Sequence, residues 1–210
     1  NVLQGIDSIK PGSQKAWYDM AKQFDFEGWA FAGEVGLRNR AGVTPFLRTA
    51  KLMQLDKQFD GKEWVHFLGM TRLKWAVLFT AFQRALRKTV SENVQVSYDS
   101  ASFSIQGGRL DVGILMPEFT SDENSWASMP TDGGFPVGEK YAVDSPVYPF
   151  PNEYSHSPIS KYVTLNDMNP KAGMWKRRKF DTLSSQFLIA HNAYTYARAF
   201  IEANQLAFSN

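Results

Sequence analysis

A carboxylate stands at the end of an apolar run in this chain, where Val94-Gln95-Val96-Ser97-Tyr98 leads directly into Asp99-Ser100. An acid closing a buried strand is costly to desolvate unless something uses it, so Asp99 is the first candidate for chemistry. A helix N-cap or a loop acid is the alternative role for the same side chain. Other chemically distinct residues fall at comparable places: Gln4 and Gly5 close Val2-Leu3, Gly33 closes Gly28 to Ala32, and Gly69 closes Trp64 to Leu68. The amide can equally be a plain strand-end polar group, and the glycines ordinary turns. Two further features carry a choice. Lys176-Arg177-Arg178-Lys179 can neutralise phosphates or form a solvated face. Trp126, Tyr141, Tyr148, Phe150 and Tyr154 can stack on bases or anchor a loop to the core.

Composition removes several classes of chemistry. Cys is absent, which excludes disulfides, thiolate metal sites and a cysteine nucleophile. The formal charge of +2 makes any basic footprint local. With 210 residues, 43% of them hydrophobic and 14% aromatic, the chain can fill the core of one ordinary domain or a large share of a bigger one. No secretory leader and no apolar run of bilayer length stand out, so a soluble, cytoplasmic protein with no membrane partner is expected. The chain opens on Asn1 and directly on a strand end, which predicts a start inside a domain, by processing or by truncation.

The elements that must position these residues repeat one pattern. Val2-Leu3 is followed by a helical stretch with Ala16, Trp17, Met20, Ala21 and Phe24 along one predicted face. A second apolar run ends at Gly33, and Thr44 as N-cap with Pro45 opens a helix carrying Phe46, Leu47, Ala50, Leu52, Met53 and Leu55. A third run ends at Gly69, with Thr71 capping a long helix, and the fourth run is Val94 to Asp99. Nearly continuous apolar strands alternating with helices predict a parallel sheet covered by helices, as a doubly wound sheet or a (β/α)8 barrel. The special residues all sit at the C-terminal ends of strands, the face where barrel enzymes hold their active sites and which doubly wound sheets also use. Residues 101–180 change texture: Gly107-Gly108, Gly133-Gly134 and seven Pro from 117 to 158 predict a loop-rich insertion with a basic end and short strands at 112–116 and 162–165. Residues 181–210 read as a C-terminal helix capped by Asp181 or Thr182.

These residues carry a resemblance. Val2-Leu3-Gln4-Gly5, Phe26-Glu27-Gly28-Trp29-Ala30-Phe31-Ala32-Gly33-Glu34, His66-Phe67-Leu68-Gly69, Tyr98-Asp99-Ser100 and Ala190-His191-Asn192 follow in the order and spacing of tRNA-guanine transglycosylases, over positions 2–100 and 183–206. The chain resembles the C-terminal half of that family, and Asp99-Ser100-Ala101-Ser102 is closest to its phage and bacterial branch acting on DNA. The resemblance implies a (β/α)8 TIM barrel of which this chain supplies four βα units over 1–100, the C-terminal helix packing on it. It implies an enzyme, a pentosyltransferase exchanging guanine for a 7-deazaguanine in DNA, in a bacterial or phage-infected cell.

Residue by residue, the resemblance gives Asp99 the role of nucleophile, forming a covalent glycosyl intermediate. Gln4 and Gly5 would read the base edge, Gly33 would let backbone approach the base, and Leu68 and Gly69 would wall its pocket. Lys176, Arg177, Arg178 and Lys179 would hold DNA, whose target base must be flipped out. The departures are equally specific. The family binds zinc with three Cys and one His, and His191 stands at that His; without Cys, neither metal nor cofactor is expected, and His191 is predicted to cap or hydrogen-bond within the helix packing. Ser100-Ala101-Ser102 replaces the Pro-Thr-Arg of the tRNA enzymes, which favours DNA over tRNA. The first half of the barrel, with its general acid/base aspartate, would come from a partner chain or a preceding segment; Glu34 is the nearest local substitute. A non-catalytic, nucleic-acid-binding or barrel-completing subunit is the alternative.

Overall fold

The structure, a computed structural model, describes residues 1–4, 14–32, 43–70, 73–109, 113–114, 157–162 and 181–209. The chain divides into two compact units, Asn1–Met70 with Val77–Ser100, and Thr71–Ala76 with Ala101–Asn210.

The first unit is mixed α/β. Its elements alternate as β1 (Val2–Leu3), α1 (Gln14–Ala21), β2 (Gly28–Phe31), α2 (Val43–Leu55), β3 (Trp64–Phe67), α3 (Leu73–Thr89, from Val77 in this unit) and β4 (Gln95–Tyr98). The strands form a parallel four-stranded sheet in the order β1-β2-β3-β4. Neighbours follow in chain order without the reversal that a doubly wound sheet contains. Right-handed crossovers in such an order put every helix on the same side.

Side-chain alternation bears this out. Leu3, Trp29, Phe31, Val65 and Phe67 are buried, while Val2, Gly28, Ala30, His66 and Ser97, on the other side of the pleat, are only partly so. All three helices meet the first set. Tyr18 of α1 lies 6.0 Å from Trp29 between ring centroids, Phe46 of α2 meets Phe31 at 5.6 Å and Phe67 at 5.2 Å, and Phe79 of α3 stacks on Phe67 at 3.9 Å. Burying these rings is the main stabilisation of the unit, at roughly 1.5–3 kcal/mol per large apolar side chain.

Two helix faces differ from the expectation. In α1 the buried residues are Gln14, Tyr18 and Ala21, while Trp17 and Met20 are exposed. The polar tips decide this: the Tyr18 hydroxyl donates to Asp56 (2.8 Å), Gln14 accepts from Thr49 (2.7 Å), and Trp17 spends its ring N–H on the Val2 carbonyl (2.7 Å). In α2 Phe46, Thr49, Ala50 and Met53 are buried and Leu47 and Leu55 are not. The helix starts at Val43, so Thr44 lies within its first turn and does not cap it.

In the second unit the expected loop region begins with a helix, α4 (Ser102–Arg109), and includes a 3-10 turn at Pro158–Lys161. Gly107-Gly108, which predicted a break, sits inside α4, because a Cβ at Gly107 would lie 2.6 Å from the Ile189 backbone nitrogen and 2.8 Å from the Leu188 carbonyl carbon. The glycine is where two helices touch backbone to backbone. The expected strand at 112–116 is not seen at Gly113-Ile114, the part described. Tyr162, at the head of the other expected strand, instead ends the 3-10 turn and is exposed. The C-terminal helix, α5 (Thr182–Phe208), begins on Asp181, whose carboxylate accepts from the Ser184 N–H at 2.8 Å.

α5 also carries a polar clamp. His191 donates through Nε2 to the Ile114 carbonyl at 2.9 Å; Asn192 accepts from the Ile114 N–H at 2.8 Å and donates to the Phe103 carbonyl at 3.2 Å. Both side chains are fully buried. Burial lowers the His191 pKa from 6.5 to about 4, against the smaller upward pull of its hydrogen bond to Ile114.

Two outcomes follow from this packing. Gly107→Ala forces α4 and α5 apart and lowers unfolding stability by about 2 kcal/mol, measured by urea denaturation. His191 is neutral in the fold and takes a proton when the chain unfolds, so its contribution is full above pH 6.5 and falls away as pH drops towards 4. From about pH 7 to about pH 5 this amounts to about 2 kcal/mol, and His191→Gln removes that part of the stability slope.

Candidate active site at the strand ends

The ladder hydrogen bonds continue one residue past the strands. Ala32 N–H donates to Leu3 O at 2.8 Å, Leu68 N–H to Phe31 O at 2.9 Å, and Asp99 N–H to Phe67 O at 3.2 Å. This aligns Ala32, Leu68 and Asp99 in one row at the C-terminal edge, with Gln4 next after Leu3. At about 4.8 Å per strand, the row from Gln4 to Asp99 spans roughly 14 Å.

Asp99 is held at both of its oxygen-bearing groups. Its Oδ1 accepts from Gly69 N–H at 2.9 Å and its carbonyl accepts from Met70 N–H at 2.7 Å. Gly69 turns the chain with φ +74°, a conformation that suits a residue without Cβ. Gly69 therefore has a role beyond the expected pocket wall, since its N–H orients the carboxylate. Asp99 is not the desolvated acid that the apolar run predicts: its side chain is 60% exposed, because β4 lies at the edge of the sheet. What marks it is a fixed and accessible carboxylate, not a buried one.

A residue missed by sequence reasoning joins this site. His66 and Ser97 face each other across β3 and β4, with His66 Nδ1 2.8 Å from Ser97 Oγ. His66 Nε2 lies 3.7 Å from Asp99 Oδ2. That distance is beyond a hydrogen bond and within ion-pair range for a ring that carries a charge. The signal was available only by combining two facts: parallel pairing in register, and alternation that puts His66, Ser97 and Asp99 on one side. Tyr98 points the opposite way, 5.4 Å from the Phe79 ring, and burial pushes its phenol above the ordinary range, which keeps it neutral.

Of the residues expected at the site, Leu68, Gly69 and Asp99 come together, and Gln4 stands exposed at the same edge. Gly5, Gly33 and Glu34, the cations Lys176, Arg177, Arg178 and Lys179, and the aromatics Trp126, Tyr141, Tyr148, Phe150 and Tyr154 lie outside the described residues. Among the described residues no group of three or more His, Asp or Glu could hold a metal, and no helix is long and apolar enough to cross a membrane. At the opposite end of the sheet, a polar cleft of about 260 Å³ is lined by lysines and carboxylates that include the ion pair Lys62–Asp25.

No family model, no curated protein and no solved structure matches this chain.

Gly69→Ala puts a side chain where φ is +74° and is expected to lower stability by about 1–2 kcal/mol in denaturant titration. Because the Gly69 N–H moves with it, the amide resonances of Asp99 and Ser100 shift in a ¹⁵N-correlated NMR spectrum while those of β1 do not.

Proposed function

We propose that this chain is half of a (β/α)8 barrel that exchanges guanine for a 7-deazaguanine in DNA, with Asp99 as the nucleophile. The observation that carries the reading is the held carboxylate: Oδ1 engaged by Gly69 at 2.9 Å, with 60% of the side chain open to a substrate. Oδ2 attacks C1′ of the nucleotide and the C1′–N9 bond breaks, its electron pair leaving with guanine. The proton that guanine takes comes from an acid on the half that completes the barrel. In the second step N9 of the incoming base attacks C1′ and the carboxylate leaves.

The four-stranded α/β unit supports this reading through three features: strands in chain order, helices packed on a single face, and outer strands β1 and β4 that each pair on one side only among the described residues. Such edges call for further strands. Gln4 and Gly5 would read the base edge, with Gly33 and Leu68 against the base. Lys176, Arg177, Arg178 and Lys179 would neutralise phosphates around the flipped nucleotide. Ser100-Ala101-Ser102 after the nucleophile favours DNA over tRNA.

The test is nucleoside mass spectrometry of DNA and tRNA incubated with the assembled native protein and 7-deazaguanine. Exchange is expected in DNA, and Asp99→Asn lowers it by roughly 10³-fold or more. Exchange that survives Asp99→Asn removes the nucleophile assignment, and exchange confined to tRNA removes the DNA assignment.

A further inference from the structure

His66 has no part in the scheme above, yet it lies next to the attacking oxygen. We propose that His66, oriented by Ser97, is the positioning residue that makes the Asp99 carboxylate a competent leaving group in the second half of the exchange. The inference rests on the transglycosylase reading and assigns a role within the same site.

Three observations define the role. Gly69 N–H occupies Oδ1 of Asp99, so Oδ2 is the oxygen that meets C1′. His66 Nε2 lies 3.7 Å from that oxygen, too far to consume a lone pair by hydrogen bonding and near enough to act on its charge. The other ring nitrogen, Nδ1, is tied to Ser97 Oγ at 2.8 Å, and a bond at one imidazole nitrogen fixes where the other points. If the Ser97 hydroxyl donates, Nδ1 is the acceptor and Nε2 carries a hydrogen towards Asp99.

The geometry argues against His66 as the acid for departing guanine. In a displacement at C1′ the nucleophile and leaving base lie on opposite sides of the carbon, and His66 is on the side of the nucleophile. Its influence is therefore on Asp99. In the first step the carboxylate gives up its negative charge as the C1′–Oδ2 bond forms, and the contact with Nε2 weakens. In the second step N9 of the incoming base bonds to C1′, the C1′–Oδ2 bond breaks with its electron pair returning to Oδ2, and the N9 proton passes to water. Nε2 stabilises the charge that returns. A residue of this kind slows capture slightly and speeds release, so its loss makes the covalent adduct accumulate. A residue that only supports the fold gives the reverse, with less adduct and less exchange together.

The experiment uses the assembled native protein, a guanine-containing DNA oligonucleotide and 7-deazaguanine, with the adduct followed on denaturing gels. Preformed adduct of His66→Phe is expected to release its DNA to 7-deazaguanine about fivefold more slowly than wild type, the scale of one partly exposed polar contact. The steady-state adduct fraction rises, and kcat and the KM for DNA fall together so that kcat/KM is kept. Ser97→Ala moves both quantities in the same direction and by less, and His66→Gln, which keeps an N–H donor, restores part of the release rate. Thermal melts of each variant separate a folding defect from this effect, and Ser97→Ala remains informative if His66→Phe does not fold. Wild-type release rates in both His66→Phe and Ser97→Ala overturn the proposal, as does a fall of adduct and exchange in proportion. If wild type forms no Asp99-dependent adduct, the transglycosylase reading fails, and the role given to His66 fails with it.

Discussion

The first unit depends on a stack of three phenylalanines. Phe67 of β3 lies between Phe31 of β2, parallel to it at 5.0 Å, and Phe79 of α3 at 3.9 Å, while Phe46 of α2 presents its edge at 5.2 Å. One side chain thus ties two strands and two helices. Rings in these offset and edge-on arrangements attract beyond the area they bury. Because a strand alternates with period two, fixing Phe67 towards the helices fixes His66 and Leu68 towards the other side. A slip of one residue in β3 would drive an imidazole into a cluster of aromatic rings, where it would be costly to desolvate.

From that constraint the site follows with few further choices. Register pairs Phe67 with Tyr98, so Ser97 must stand opposite His66, and Asp99, two residues on, shares their side. The ladder runs one residue past the strands and then ends at a turn where Gly69, at positive φ, aims its N–H back at Asp99. The aromatic core and the polar edge are therefore one design read on two faces of the same strands. The core sets which side chains reach the edge, although the edge itself is open to solvent.

How much of this was legible depends on which physical rule governs each element. The four strands were, since short apolar runs closed by Gly have few other readings, and Leu68, Gly69 and Asp99 were, since they terminate those runs. Helix α1 was expected with its buried face about a residue out of place: hydrophobicity ranks Trp17 and Met20 above Tyr18 and Gln14, but hydrogen bonds from Tyr18 to Asp56 and from Thr49 to Gln14 settle the orientation. Helix α4 was missed because Gly107-Gly108 is a break signal locally, and only the approach of the Ile189 backbone explains why glycine is needed inside a helix. His66 carries no local signal of its surroundings, since its partners are 31 and 33 residues away and meet it only through strand pairing. Long-range register is the information that local pattern lacks.

The second unit shows how a chain without Cys can fasten a segment that lies far away in sequence. His191 Nε2 donates to the Ile114 carbonyl, and the adjacent Asn192 takes the Ile114 N–H. Both backbone polar groups of buried Ile114 are satisfied by consecutive residues of a single helix, and the Asn192 amide reaches on to Phe103 of α4. Such a clamp has a condition attached. Burial favours the neutral ring by lowering the pKa to about 4, although the hydrogen bond to Ile114 pulls the other way. A charged imidazole at this depth would face desolvation that a single carbonyl does not offset. Protonation of His191 is therefore unfavourable in the fold, and the packing that buries it weakens as pH falls towards 4.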